Sequence, residues 1–339
     1  MALFSCQVAP DTQHHGLISA QMWFNFDPLL DLIHAMSMTT QLKSFDASAT
    51  AALLPYPQLV QVLRATVPDY ADGKIVSPER LVVPLQEGGV MLSMPSSAAD
   101  IAIHKLVNVC PGNGRRGLPT IHGQVIACDP VTGEMLFVLD GPTVTGRRTA
   151  AVSALGILAL HGAAPKEILI IGTGKQAANH VEAFAALFPQ AQILARGTTP
   201  ASAQRFVAGL ANVAPNLRAL DGDIPDSVDV VVTVTTSKSP VYDAPARAGR
   251  IVVGVGAFTP DAAEIGKATV DSSFVVLDDP AGAKHEAGDL IQAGFDWNHA
   301  HTLADAIRQK LAPDAPVFFK SVGCAAWDLA ACRVARANL

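Results

Sequence analysis

The second half of the chain alternates short apolar segments with helical ones, and this alternation restricts the fold more than any other feature. EILIIG at 167–172 precedes the helical pattern KQAANHVEAFAALF, and AQILAR at 191–196 follows it. Further apolar segments come at 228–236, 249–257 and 272–278. Strands that alternate with helices form βαβ units, in which the strands are parallel and the helices cover the sheet. The pattern therefore predicts an α/β fold with a Rossmann-type, doubly wound parallel sheet.

The turn IGTGKQA at 171–177 fits the pattern G-x-G-x-x-A. It stands between a predicted strand and a predicted helix, which is the context that this motif needs to bind a dinucleotide. The first glycine allows a tight turn, the second lets the backbone approach a pyrophosphate, and the alanine still permits close helix–strand packing. A glycine-rich turn without a ligand is the alternative. We predict a dinucleotide site that includes Gly172, Thr173, Gly174, Lys175, Gln176 and Ala177.

The end of the next predicted strand bears on which dinucleotide is bound. NAD-binding domains usually carry Asp or Glu about 20 residues after the glycines, where it binds the ribose 2′-hydroxyl. Here the strand ends in Arg196, and no acid is present. Arg196 could pair with a 2′-phosphate, whereas the alternative is an ordinary surface arginine. We therefore expect NADPH as the cofactor, with NADH still open.

Cations recur in the first half of the chain, where several short strands in succession predict an antiparallel sheet. Arg80, Lys105 and the pair Arg147–Arg148 stand on separate elements, and residues 101–128 contain no Asp or Glu although the whole chain has a net charge of −6. This overall charge argues against a nucleic-acid binder, which would need a broad basic surface. Separated cations beside a dinucleotide domain instead suggest a clamp for a small anion, most simply a carboxylate.

Composition and cysteine usage bound the remaining possibilities. Half of the residues are hydrophobic and 16% are charged, which is typical of a globular protein. The five cysteines are widely spaced and form no CxxC pair, so a disulfide framework or a metal site is not expected. No apolar run is long enough to cross a membrane, and we expect a cytoplasmic protein. Residues 1–43 differ in pattern from the rest and form an N-terminal extension of unknown role.

Several segments together carry a family resemblance: FDASATAALLPY, SPERLVVP, HKLVNVCPGN, LDGPTVTGRRTAAVSALG, IGTGKQA, VGAFTPDAAEI and FFKSVG. From about Phe45 to the C-terminus the chain resembles the ornithine cyclodeaminase/mu-crystallin family, and the RTAAVSA and GTGKQA blocks are specific in combination. The resemblance implies a Rossmann domain, residues 141–308, inserted in an α+β domain, residues 44–140 plus 309–339. That second domain would bind substrate and form a homodimer through its sheet.

The resemblance also implies roles for individual residues. Arg80, Lys105 and Arg148 match the family residues that bind the substrate carboxylate. Additional cofactor contacts are expected at Thr120, Arg148, Thr149, Thr235, Val255, Gly256, Ala257 and Gly323.

The choice of reaction depends on position 258. Cyclodeaminases of the family carry a catalytic Asp after the strand that here reads GRIVVGVGA, but this chain has Phe258 there, and Asp261 matches a different position. Without that carboxylate, amine oxidation, ring closure and loss of ammonia lack their expected base. We therefore expect the ketimine reductase branch, which reduces a cyclic imino acid with NAD(P)H. The substrate would be delta-1-pyrroline-2-carboxylate, or the six-membered delta-1-piperideine-2-carboxylate, and the product L-proline or L-pipecolate.

Three alternatives remain open at this point: an ornithine cyclodeaminase, an amino-acid dehydrogenase of the same family, and a mu-crystallin-like binding protein with little turnover. The sequence assigns no catalytic proton donor. His104 and His122 are candidates, although a single histidine in a strand more often has a structural role.

Overall fold

The computed structural model describes residues 42–309, 311 and 316–339. The predicted N-terminal extension therefore lies outside the described residues, except for its last two positions. Of these, Lys43 belongs to the two-residue strand Lys43–Ser44.

The described strands, in chain order, are β1 Lys43–Ser44, β2 Leu81–Pro84, β3 Val90–Ser97, β4 Ala102–Val109, β5 Ile121–Cys128, β6 Met135–Asp140, β7 Glu167–Ile171, β8 Gln192–Arg196, β9 Leu217–Ala219, β10 Val230–Thr233, β11 Ile251–Gly254, β12 Phe274–Leu277, β13 His301–Thr302 and β14 Val317–Lys320. The described helices are α1 Ala47–Leu53, α2 Tyr56–Ala71, α3 Gly141–Leu160, α4 Lys175–Leu187, α5 Pro200–Gly209, α6 Lys267–Asp271, α7 Pro280–Glu286, α8 Gly288–Ala293, α9 Leu303–Ile307 and α10 Ala325–Ala337. None of these helices combines the length and apolar character that a bilayer crossing requires.

The first sheet contains six strands in the order β1-β6-β5-β4-β3-β2. The pairs from β2 to β6 are antiparallel, as the sequence predicts, and β1 joins β6 in parallel. Side chains along β4 alternate between faces, so that Ile103, Lys105 and Val107 are buried while His104 and Leu106 are exposed. The same alternation that buries the core therefore turns Lys105 inward.

The second sheet contains eight parallel strands in the order β13-β12-β14-β11-β10-β7-β8-β9. Its central strands are apolar and buried, as expected for strands covered by helices on both faces. The strand order reverses beside β7, because β8 lies on one side of it and β10 on the other. In such sheets ligands bind beyond the carboxyl ends of the strands at this reversal. The predicted α/β fold class is confirmed.

Strand β14 bears on one predicted domain boundary. The sequence assigned residues 309–339 to the substrate domain, yet β14 lies between β11 and β12 in the parallel sheet. All four of its residues are buried, which suits a central parallel strand. The following helix α10 packs instead against α2, α3 and the antiparallel sheet. The C-terminal region thus contributes to both sheets, and the division into two domains remains a prediction.

Candidate active site

The glycine-rich turn after β7 has the geometry that a dinucleotide site requires. Gly172 has a φ of 132°, and a Cβ there would lie 2.8 Å from the Val234 carbonyl oxygen, so only glycine fits without strain. Gly174 directly precedes α4, whose first backbone N–H groups lack helical partners and can bind phosphate. Ala177 is fully buried where the helix meets the sheet. The predicted strand, turn and helix are all present.

Two neighbouring side chains bear on whether a dinucleotide fits. The Gln176 amide oxygen is buried and has no hydrogen-bond partner among the described residues, so it could accept a bond from a ligand hydroxyl or amide. Arg196 ends β8 beside the turn, and its carbonyl oxygen accepts a 2.9 Å hydrogen bond from the Gly172 N–H. Its guanidinium donates to the Gly222 carbonyl. These features fit a nicotinamide dinucleotide, while the role of Arg196 in choosing NADPH stays a prediction.

A buried carboxylate that the sequence reasoning missed connects the ends of β10 and β11. Glu264 accepts a 2.5 Å hydrogen bond from each of the Thr235 and Gly256 N–H groups, and a third from the Thr233 hydroxyl at 3.1 Å. A Cβ at Gly256 would collide with the Thr235 backbone, so these two loops can approach only because residue 256 is glycine. Burial raises the pKa of Glu264. Glu264 therefore holds two of the loops predicted to contact the nicotinamide.

A second buried pair, Asp289 and Lys320, lies next to Glu264 and bonds to its backbone. Asp289 accepts hydrogen bonds from the Glu264 and Ile265 N–H groups at 2.5 and 2.9 Å, and its other oxygen is 2.6 Å from Lys320 Nζ. Both charged side chains of this pair are fully buried. A single Lys in FFKS and a single Asp in EAGDL gave no local signal that they would meet.

The predicted carboxylate clamp is centred on a third buried acid, Asp328 of α10. Lys105 Nζ is 3.0 Å from both Asp328 carboxylate oxygens, and Arg148 Nε is 3.1 Å from one of them. Arg148 comes from α3, which begins where the Asp140 side chain accepts a 2.8 Å bond from the Thr143 N–H. Asp328 was also missed, although an isolated acid in the apolar stretch AAWDLAAC was a weak signal.

Burial and neighbouring charges both shift the pKa values of Asp328 and Lys105. Burial disfavours the ionised form of Asp328, but the charges of Arg148 and Lys105 outweigh it and lower the pKa of Asp328. Burial lowers the pKa of Lys105 to about 8, because the Arg148 and Arg80 charges add to desolvation and Asp328 offsets them only in part. Both groups are thus charged at neutral pH.

Arg80 reaches the same region through Gly323. Its Nη2 donates a 2.8 Å hydrogen bond to the Gly323 carbonyl oxygen, and the Arg148 guanidinium lies so close to the Gly323 Cα that no Cβ would fit. Gly323 has a φ of 73°, which also favours glycine. The structure therefore brings Arg80, Lys105 and Arg148 together from three separate segments of the chain.

A cleft opens beside this cluster. Its lining includes Tyr70, Arg80, Met94, Glu286, Gly323 and Cys324. Glu286 Oε2 is 2.8 Å from Arg80 Nη2, and the two side chains are 20% and 17% exposed.

The other predicted site residues differ in their exposure to solvent. Thr149, Val255 and Ala257 are buried, whereas Thr120 is exposed before β5. His104 and His122 are exposed on the face of the antiparallel sheet opposite to Lys105, so they are not oriented to act as proton donors beside the clamp.

Two other arginines near these segments, Arg147 and Arg116, have structural partners. Arg147 Nε donates to the Leu54 carbonyl oxygen at 2.9 Å, and its guanidinium lies 4.0 Å from the centre of the Tyr56 ring. Arg116 pairs with Glu87 at 2.7 Å on the exposed surface.

Known proteins are similar to this chain in sequence and in fold. Delta(1)-pyrroline-2-carboxylate reductase 1 of Burkholderia multivorans is 67% identical over 302 residues, which cover 89% of this chain and 97% of the relative. Delta(1)-pyrroline-2-carboxylate/Delta(1)-piperideine-2-carboxylate reductase of Azospirillum brasilense has the same identity and coverage. The structure of Thermococcus litoralis Delta(1)-pyrroline-2-carboxylate reductase in complex with NADH and L-proline shares the fold. Its TM-score is 0.78 and its identity 24%, over 87% of this chain and 96% of that one.

The sequence model of one family matches almost all of the described chain, from residue 45 to residue 339, and its description is the Ornithine cyclodeaminase/mu-crystallin family. The family that the sequence predicted is confirmed by this match and by the two 67% identical relatives. The chain therefore belongs to the ornithine cyclodeaminase/mu-crystallin family.

Proposed function

We propose that this protein reduces delta-1-pyrroline-2-carboxylate to L-proline with a nicotinamide cofactor. The observation that carries the proposal is the 67% identity, over 302 residues, to reductases named for this substrate. The name of the Azospirillum brasilense relative favours delta-1-piperideine-2-carboxylate as a second substrate. The bound cofactor would supply the hydride, and the protein would bind and orient the imino acid.

The cation cluster supports a substrate with one carboxylate. Arg80, Lys105 and Arg148 face two carboxyl groups, Asp328 and Glu286, so the cluster is positively charged whether Glu286 is ionised or protonated. A substrate carboxylate would offset part or all of that charge. Arg80 Nε and Nη1 form no hydrogen bond to any described residue, which leaves N–H donors that a substrate carboxylate can use.

The surroundings of Phe258 favour a reductase over a cyclodeaminase. Phe258 is 45% exposed. Asp261, the nearest acid after it in sequence, is exposed and held by Lys238 Nζ at 2.6 Å and by the Thr259 hydroxyl at 2.7 Å. It therefore does not replace the absent carboxylate. A substrate that is already cyclic and oxidised needs no such base.

NADPH is the cofactor that we propose for use in the reaction, on the basis of Arg196 at the end of β8. A cytoplasmic location is likewise proposed, because Cys110, Cys128, Cys324 and Cys332 are unpaired thiols, as in proteins of a reducing compartment.

We also propose a homodimer formed through the antiparallel sheet. Leu81, Val83, Met91 and Leu106 share the face opposite to Lys105, and each is between 38% and 63% exposed. An apolar strip of this kind on a sheet favours burial against another protein surface. Sedimentation analysis of the wild type and of Leu106→Asp would test this, because the variant should dissociate.

The central test is an assay of NADPH and NADH oxidation. Delta-1-pyrroline-2-carboxylate and delta-1-piperideine-2-carboxylate should be reduced, whereas pyruvate with ammonia should give little turnover. Preferred turnover of pyruvate would indicate an amino-acid dehydrogenase instead. Tight NADPH binding without turnover of any of these compounds would indicate a binding protein.

A further inference from the structure

Glu286 ends helix α7 and lines the cleft that also contains Arg80 and Gly323. Its Oε2 atom is 2.8 Å from Arg80 Nη2, while the side chain stays 20% exposed. The carboxyl group is thus beside a predicted ligand of the substrate carboxylate and also within reach of solvent.

Glu286 differs from the neighbouring acids in its hydrogen bonding. Asp278 accepts bonds from five donors, and Asp279 accepts one from the Tyr70 hydroxyl at 3.1 Å. Glu286 accepts none from the residues that the structure describes, because its short contact with Arg80 lacks hydrogen-bonding geometry. Oε2 is buried against Arg80, which leaves Oε1 as the oxygen available to a bound molecule.

Burial and the neighbouring acids raise the pKa of Glu286 against the opposing charge of Arg80. Burial raises the pKa of Glu286 to about 7, with Arg80 opposing and with Asp279, Asp278 and Glu79 adding to the rise. A carboxyl group of this kind can both give and take a proton near neutral pH.

The proposed reaction needs a proton at one defined atom. Reduction adds a hydride to C2 of the imino acid, and the electron pair of the C=N double bond moves to the ring nitrogen, which must gain a proton. C2 carries both the carboxylate and the nitrogen. A group beside the carboxylate clamp can therefore also reach the nitrogen.

We infer that Glu286 donates the proton that the ring nitrogen gains during reduction. The O–H bond of Glu286 breaks as the N–H bond forms, and the resulting carboxylate takes a new proton from solvent through the cleft. This role rests on the proposed function.

The test compares the wild type with Glu286→Gln, Glu286→Asp and the surface control Glu87→Gln, using delta-1-pyrroline-2-carboxylate and NADPH. Loss of a general acid should lower kcat/KM at neutral pH by roughly 10²–10⁴-fold in E286Q. E286D should recover part of the rate, and E87Q should match the wild type. The wild-type pH profile should have two limbs, from Glu286 and from the imine. E286Q should keep only the limb that coincides with the separately measured titration of the imine.

A second measurement separates proton donation from support of Arg80. Furan-2-carboxylate has a ring and a carboxylate but no basic nitrogen, and its binding with NADP⁺ present can be measured by calorimetry. E286Q should bind it as the wild type does. If its binding weakens as much as kcat/KM falls, or if E286Q keeps both limbs of the profile, Glu286 only holds Arg80 and the inference is wrong. An inactive wild type would refute the proposed function, whereas a fully active E286Q would refute this inference alone.

Discussion

Asp328→Asn should destabilise the protein strongly, because two buried cations depend on this one carboxylate. Asp328 is fully buried, with Lys105 Nζ 3.0 Å from both oxygens and Arg148 Nε 3.1 Å from one of them. The amide keeps the shape of the side chain but removes its charge. Removing one partner of a buried ion pair costs about 3–5 kcal/mol of unfolding free energy. Since two cations lose their partner here, we expect the upper half of that range.

The loss should also depend on pH. Burial already lowers the pKa of Lys105 from 10.5 to about 8 in the presence of Asp328. Because the unfolded chain then binds more protons, Lys105 makes the wild type more stable as pH rises from about 8 to 10.5. Without Asp328 the folded-state pKa of Lys105 falls further, and this gain begins at a lower pH. The deficit of the variant should therefore shrink as pH rises towards 8.

The difference in unfolding free energy between the wild type and Asp328→Asn can be measured by urea denaturation at fixed protein concentration, followed by tryptophan fluorescence. The two measurements are made at slightly acidic pH and above pH 8. Asp261→Asn is the matched control, since Asp261 pairs with Lys238 in solvent and its loss should change little. A deficit below about 1 kcal/mol, the size of an exposed ion pair, would refute the reasoning. So would a large deficit that is independent of pH.

Three further predictions concern the site. Lys105→Ala and Arg148→Ala should each lower kcat/KM for the imino acid, since losing a charge-assisted contact in a desolvated site costs about 2–4 kcal/mol. NADPH affinity measured by fluorescence titration should persist in Lys105→Ala, and a near-normal kcat/KM in both variants would show that the clamp is wrongly assigned. Arg196→Ala should raise KM for NADPH and leave KM for NADH nearly unchanged, because only NADPH has a 2′-phosphate to lose; equal effects would mean that Arg196 acts elsewhere. The wild type should release no ammonia from L-ornithine with NAD, because Phe258 stands at the position of the cyclodeaminase carboxylate; release at a rate comparable to imine reduction would contradict the reductase assignment.

Local patterns were enough to predict much of the fold. Gly172, Gly174 and Ala177 lie within one strand–turn–helix unit, so their spacing reports the geometry of the turn directly. The inward orientation of Lys105 likewise follows from the alternation along β4. The place of β14 in the parallel sheet could not be predicted in this way, because its sequence shows that it is buried but not which sheet it joins.

The sequence by itself determined the parallel sheet and its glycine-rich turn, and it predicted the three cations that we propose as a clamp, because each depends on residues close together in the chain or on a family pattern. Only the tertiary structure decided what holds those cations. Asp328 lies 223 residues from Lys105 and 180 from Arg148, and neither separation leaves a periodic signal. The same holds for Glu264 beneath the strand ends and for Glu286 beside Arg80. Pairing over such distances is set by how the helices pack on the two sheets, and that packing depends on the whole core.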